Sequence, residues 1–218
     1  MPKTVALIAI AAAAAVLSGP ASGGRSGFSA KVTNPWFPLT PGTTYRYDGV
    51  KDGKPSHEVL RVTHRTKTIT GAPCVVVDDR LYIGGHLEER TNDWYSQDGK
   101  GNVWYFGEAT AELDKNGKVT TTEGSWQAGR DGARAGILMP AHPLPGQTGV
   151  QEHYKGQAED HFRVLGYLGK NALLIEEWTP LEPGVLDHKL YVRGTGTVLE
   201  RTVKGGDELN ELISVRKG

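Results

Sequence analysis

Apolar and polar positions alternate in short runs along most of this chain, a period that predicts β-strands with one buried face. Thr44-Tyr45-Arg46-Tyr47-Asp48 reads as one strand, Lys51 to Lys54 as a turn, and His57 to Thr63 as the returning strand. Thr66 to Thr70 is a further β-branched run, and Gly71-Ala72-Pro73 breaks the chain before the buried-looking segment Cys74 to Val77. Leu81-Tyr82-Ile83 follows, then a Gly84-Gly85 turn. Asn116-Gly117, between Ala111-Glu112-Leu113 and Lys118 to Thr122, predicts a hairpin because Asn and Gly tolerate the positive φ of a tight turn. Ala158 to Leu165 and Glu208 to Ile213 come nearest to helices, but neither sustains amphipathic spacing. The expected fold class is all-β, with antiparallel meanders forming a strongly curved sheet or a flattened barrel.

The pattern also recurs at long range. Asn92 to Trp104 and Asp187 to Leu199 both read as strand, Gly-x-Gly turn, strand. Upstream of these, Val75-Val76-Val77-Asp78-Asp79 resembles Leu173-Leu174-Ile175-Glu176-Glu177, and His57 to Val62 resembles Glu159 to Val164. Pro38 to Gly42, leading to Tyr47, resembles Pro143 to Gly146, leading to Tyr154. Four fragments in one order predict two similar halves, residues 34–122 and 140–215. A meander of four or five strands has one apolar face that needs a cover, so the halves should close on each other. Residues 123–139 are glycine-rich and lack a period, and they read as a loop joining the halves. Trp126 and Ile137-Leu138-Met139 argue that this loop packs, so it is expected to cover an open end.

Both ends differ from this pattern. Lys3 precedes an apolar run, Val5 to Leu17, and small residues follow, which together predict a signal peptide over residues 1–23. The run is shorter than the about 20 residues a membrane span needs. The expected product is secreted or extracytoplasmic, with a flexible leader over 24–33 and a single β domain over 34–218. Lysines and arginines number 25, as do aspartates and glutamates, with no polybasic run, so nucleic acid is excluded as a partner and stable membrane insertion is not expected. Cys74, the single cysteine, excludes an internal disulfide and reads as a small buried hydrophobe.

Trp36 to Tyr47, reading WFPLTPGTTYRY, resembles the opening of small envelope proteins with curved antiparallel sheets. Lys189 to Val198 resembles their penultimate hairpin. Taken whole, Trp36 to Val215 resembles a secreted actinobacterial-type family of unknown function. The resemblance implies a β envelope protein and carries over no catalytic residue. Related curved-sheet proteins often hold apolar ligands, which the resemblance extends to this chain as an expectation.

The candidate chemistry is sparse. Asp78-Asp79 and Glu176-Glu177 end apolar strands in equivalent positions, and only one acid of each pair can face inward. If Asp78 met Glu176, or Asp79 met Glu177, the two could share a proton or hold a hard cation; strand ends at a solvated rim look the same. His161 lies beside Glu159-Asp160 without zinc-motif spacing, so no metal or cofactor is expected. Pairing Gln97 with Asn102 would place Tyr95, Trp104 and Phe106 on one face. Trp94 and Tyr105 would then form an aromatic pair on the other, open to a ligand or covered by a loop. Lys189 and Glu200 occupy the equivalent positions of the second hairpin. The candidate ligand-binding residues are therefore Trp94, Tyr105, Trp126, Asp78, Asp79, Glu176, Glu177 and His161. The expected function is non-catalytic binding of an apolar or aromatic small molecule. A carboxylate-dependent enzyme and an envelope interaction module are the alternatives.

Overall fold

The structure, a computed structural model, describes residues 27–218. The expected signal peptide lies outside the described residues. No helix occurs among them, and strands follow one another through short turns. β1 (Phe28–Ser29) is short. β2 (Thr44–Lys51), β3 (Lys54–Ile69), β4 (Ala72–Ile83), β5 (His86–Asp98) and β6 (Val103–Leu113) then form a continuous antiparallel meander. β12 (His161–Leu168), β13 (Ala172–Trp178), β14 (Leu186–Val192), β15 (Gly196–Lys204) and β16 (Leu209–Arg216) form a second. β16 pairs with β2, so the two meanders are one sheet.

Sequence runs that look separate fuse into long strands. Thr66 to Thr70 largely continues β3 past a bulge between Val62 and Thr66, where the Thr63 hydroxyl donates to Val76 O at 2.6 Å. Leu81 to Ile83 likewise continues β4. Long, strongly twisted strands let one sheet curl far enough to meet itself.

The chain between the meanders completes that closure. β7 (Val119–Thr121) and β8 (Trp126–Gln127) add to β6, and β9 (Arg134–Met139) pairs with β6 further along. The stretch read as an aperiodic loop thus supplies strands; glycines interrupt its period where backbones approach closely. Gly107 in β6 has φ +124°, and a Cβ there would lie 2.3 Å from Trp126 O. β10 (Thr148–Val150) pairs with β12, while β11 (Glu152–His153) pairs with β9. Six consecutive residues therefore touch both free edges of the sheet, and the intervening Gln151 is 2% exposed.

The leader differs from expectation over its described part. Phe28 sits edge-on to Trp104 and Phe106, at 5.8 and 5.2 Å between ring centroids, and Val32 joins the core. Burying an apolar side chain contributes roughly 2 kcal/mol, enough to dock a short segment that already pairs with β5. Residues 32–39 then cross one end of the barrel and close it with Val32, Trp36 and Leu39. Asn34 fixes this crossing, donating to Gly101 O and Pro140 O and accepting from Trp36 N. That end is covered by this segment, where the Trp126 region had been expected.

Candidate functional site

Alternation along the strands sorts the acidic pairs. Asp78 and Glu176 face outward, Asp78 paired with Arg65 and Glu176 with Arg163 and His188. Asp79 and Glu177 face inward, but they do not meet each other. Glu177 receives Gln151 Nε2 at 3.0 Å and Tyr191 OH at 3.4 Å, and its other oxygen lies 2.8 Å from Lys189 Nζ. Asp79 instead lies against Glu58, one strand away.

The lumen around Asp79 holds two cavities. One, of about 170 Å³, is lined by Phe37, Tyr47, Tyr95, Leu138 and Tyr191 on its apolar side and by Glu58, Asp79, Lys189 and Glu200 on its polar side. The second, of about 130 Å³, shares Glu58, Asp79, Glu200 and Asn210 and extends to Lys51, Glu89 and Glu208 at the barrel end opposite Trp36. Across both, five carboxyl groups face two lysines.

Lys51 pairs with Glu208 and Lys189 with Glu200, so Glu58, Asp79 and Glu89 have no lysine partner among the described residues. Lys189 Nζ bridges Glu177 and Glu200, at 2.8 and 3.2 Å. Burial opposes its ammonium, but the flanking Glu177 and Glu200 outweigh this and hold Lys189 well above its usual value. Burial lifts Glu200 to about 7 even with Lys189 beside it, and both side chains line the cavity. Asn210 donates to Glu58. Asp79 Oδ1 is sealed from solvent with no donor. Two carboxylates cannot bond each other unless one is protonated, and burial followed by the Glu58 charge holds Asp79 well above the ordinary carboxylate range.

A second acidic group lies deeper, around Tyr105. Tyr105 OH donates to Asp93 at 2.6 Å and Trp126 Nε1 to Glu152 at 3.2 Å. Burial pushes Asp93 to about 7, Glu152 to about 8 and Glu108 to about 9, with neighbouring carboxylates adding to each.

The first hairpin departs from its expected register. Gln97 pairs with Val103, not Asn102, because Asp98 folds the turn by accepting from Lys100 N, Asn102 N, Asn102 Nδ2 and Trp104 Nε1. A register shift between Asp93 and Tyr95 follows. Tyr95 and Tyr105 therefore stack inside the lumen, 4.7 Å between centroids, and the exposed Trp94–Tyr105 pair does not form. Trp94 and Tyr105 are both buried, and Lys67 Nζ lies 3.1 Å from the Trp94 ring centre. Trp94 and Trp126 line a shared groove, while His161 stacks on Trp178 outside the barrel. Cys74 is fully buried and its thiol is pushed up to about 12, which denies it a nucleophile's role. No group of three His, Cys, Asp or Glu side chains suited to a metal ion occurs among the described residues.

Glu58, Lys189, Tyr191 and Glu200 were absent from the sequence candidates. Their signal was available: each falls in phase with an inward apolar set, Glu58 with Leu60 and Val62, and Lys189 with Tyr191. A charge on the buried phase of a strand marks a lumen better than a charge at a strand end.

No family model matches the chain and no curated protein matches it, so the likeness to an actinobacterial-type family is without support there. Solved structures are similar at low identity. A protein described as exported, with a YmcC-like fold, from Bacteroides fragilis NCTC 9343 shares 14% identity over 84% of this chain and 99% of that one, with a TM-score of 0.46. A protein described as a lipoprotein, from Parabacteroides distasonis ATCC 8503, shares 10% identity over 83% of this chain and 98% of that one, with a TM-score of 0.43.

Proposed function

We propose that this is an exported, non-catalytic binding protein whose ligand occupies the lumen beside Asp79. The ligand has a small aromatic or apolar body and a protonated primary amine. The buried Glu58–Asp79 pair on the cavity wall carries this reading, because two carboxyls desolvated together are costly and an ammonium group beside them would offset that cost. Phe37, Tyr47, Tyr95 and Tyr191 offer the ring faces for the body of such a ligand, and aromatic faces also attract cations. An apolar or aromatic ligand without a charged group, as expected from sequence, fits less well, since Glu58, Asp79 and Glu200 would stay desolvated against it.

Titration calorimetry with 2-phenylethylamine and its neutral counterpart 2-phenylethanol tests this. The amine should bind with release of protons, and Asp79→Asn should abolish the preference. Equal binding of both compounds would overturn the amine assignment, and binding of neither would overturn the lumen as the site. A second reading rests on the Glu58–Asp79 contact, since two carboxyls sharing one proton can act as acid and base. It requires turnover that Asp79→Asn and Glu58→Gln each abolish.

A further inference from the structure

The barrel end closed by Trp36 carries a different chemistry from the lumen. Turns at this end alternate with those at the acidic mouth, because successive strands run in opposite directions. The β5–β6 turn contributes Lys100, the β12–β13 turn Lys170 and the β14–β15 turn Arg193, all three exposed. They line one groove of about 450 Å³ that includes no acidic residue. Asp98 at its edge has both oxygens occupied by the four donors of its own turn. Asp131, which lies near the Thr70 turn through Gly129, is outside this groove.

Apolar side chains stand out beside these cations. Leu144 is 65% exposed, Leu168 58% and Tyr167 42%. The Tyr167 hydroxyl donates to Pro143 O, and its ring leans on Trp36, so the patch is held in place. Arg193 lies over the same tryptophan, 5.6 Å from its ring centre.

We propose that this end of the barrel docks on the surface of a bilayer containing anionic lipid. Lys100, Lys170 and Arg193 meet the headgroup phosphates, and Leu144 and Leu168 enter the headgroup boundary. Cations widely separated in sequence produce no polybasic run, yet the topology gathers them on one face. Each cation near an anionic surface strengthens binding about fivefold, and the leucines add apolar area that a soluble polyanion would leave unused. The surface stands apart from the lumen, so ligand binding there and docking here can fail separately.

Residues 24–218 hold every described strand and serve for the test. The protein is pelleted with vesicles of mixed phosphatidylglycerol and phosphatidylcholine, and with phosphatidylcholine alone, at low and high sodium chloride. Binding is expected to the mixed vesicles only, weakening with salt. Lys100→Gln, Lys170→Gln and Arg193→Gln together should lower it at least tenfold, and Leu144→Ser with Leu168→Ser should lower it severalfold. Lys54→Gln with Lys118→Gln, on the opposite end, should leave it unchanged. Circular dichroism checks that each variant is folded. Failure to bind, equal binding to both vesicles, or an unaffected triple variant overturns the proposal. Loss with the triple variant but not with the leucine pair assigns the groove to a soluble polyanion and overturns it equally.

Discussion

Tyr105 shows what a single hydroxyl does in this lumen. Its hydrogen bond is the side-chain donor on the buried Asp93, and it counters part of the upward pull of burial on that carboxyl. Tyr105→Phe should cost about 1–3 kcal/mol, more at alkaline than at acidic pH, in urea unfolding followed by tryptophan fluorescence. A wider pH effect follows from the direction of the shifts. Asp93, Glu108 and Glu152 have folded values of about 7, 9 and 8, above the ordinary carboxylate range, so the folded state holds protons that the unfolded chain releases. Their stabilising influence is greatest below about pH 4 and fades as pH rises toward 9. Unfolding free energy should therefore fall between pH 5 and pH 8, steeply enough to be read in urea unfolding; a rise over that interval would contradict the buried assignments. At this scale the sequence was only partly legible. Asp79 and Glu177 stood out as strand-end acids, whereas Glu58 and Glu200 lay hidden inside strands. The partner of Asp79 depends on the β3–β4 register, which alternation alone does not encode.

At the scale of elements, the turns were readable and the irregularities were not. Asn116-Gly117 turns as its residues require, with Gly117 at φ +78°. Asp98, by contrast, shifts the first hairpin by one residue through four hydrogen bonds, and one residue is enough to turn every side chain to the other face. That slip moves Tyr105 into the lumen. Residues 123–139 were misread for a related reason: β8 and β9 are too short to show a period, and they exist because β6 presents an edge to them. Gly107 sets that edge. Gly107→Ala places a methyl group against Trp126 O in a conformation that L residues rarely adopt, so β8 should detach. The expected result is a loss of about 2 kcal/mol or more and a red-shifted tryptophan emission as Trp126 reaches water.

For the whole molecule, two curved meanders were foreseeable, but the manner of their joining was not. One junction is the β16–β2 ladder. The other is Thr148 to His153, where the chain leaves β12 and pairs with β9. Gln151 spans that seam, donating to Glu177 and, at 3.4 Å, to Leu138 O. Gln151→Ala should therefore loosen the seam, with faster amide exchange at Ala135 and Thr148 and little change along β3 and β4. The first junction has a consequence in time. β2 has nearly every other strand between it and its partner β16, and Gly42 lies so close to Gly218 that a Cβ on Gly42 would sit 3.3 Å from Gly218 Cα. A chain emerging N-terminus first thus presents the outer edge of β2 unpaired until β16 arrives. Loop closure over such a span is slow, so the β16–β2 ladder should form late, and until it does the open edge of β2 is available to pair with another chain.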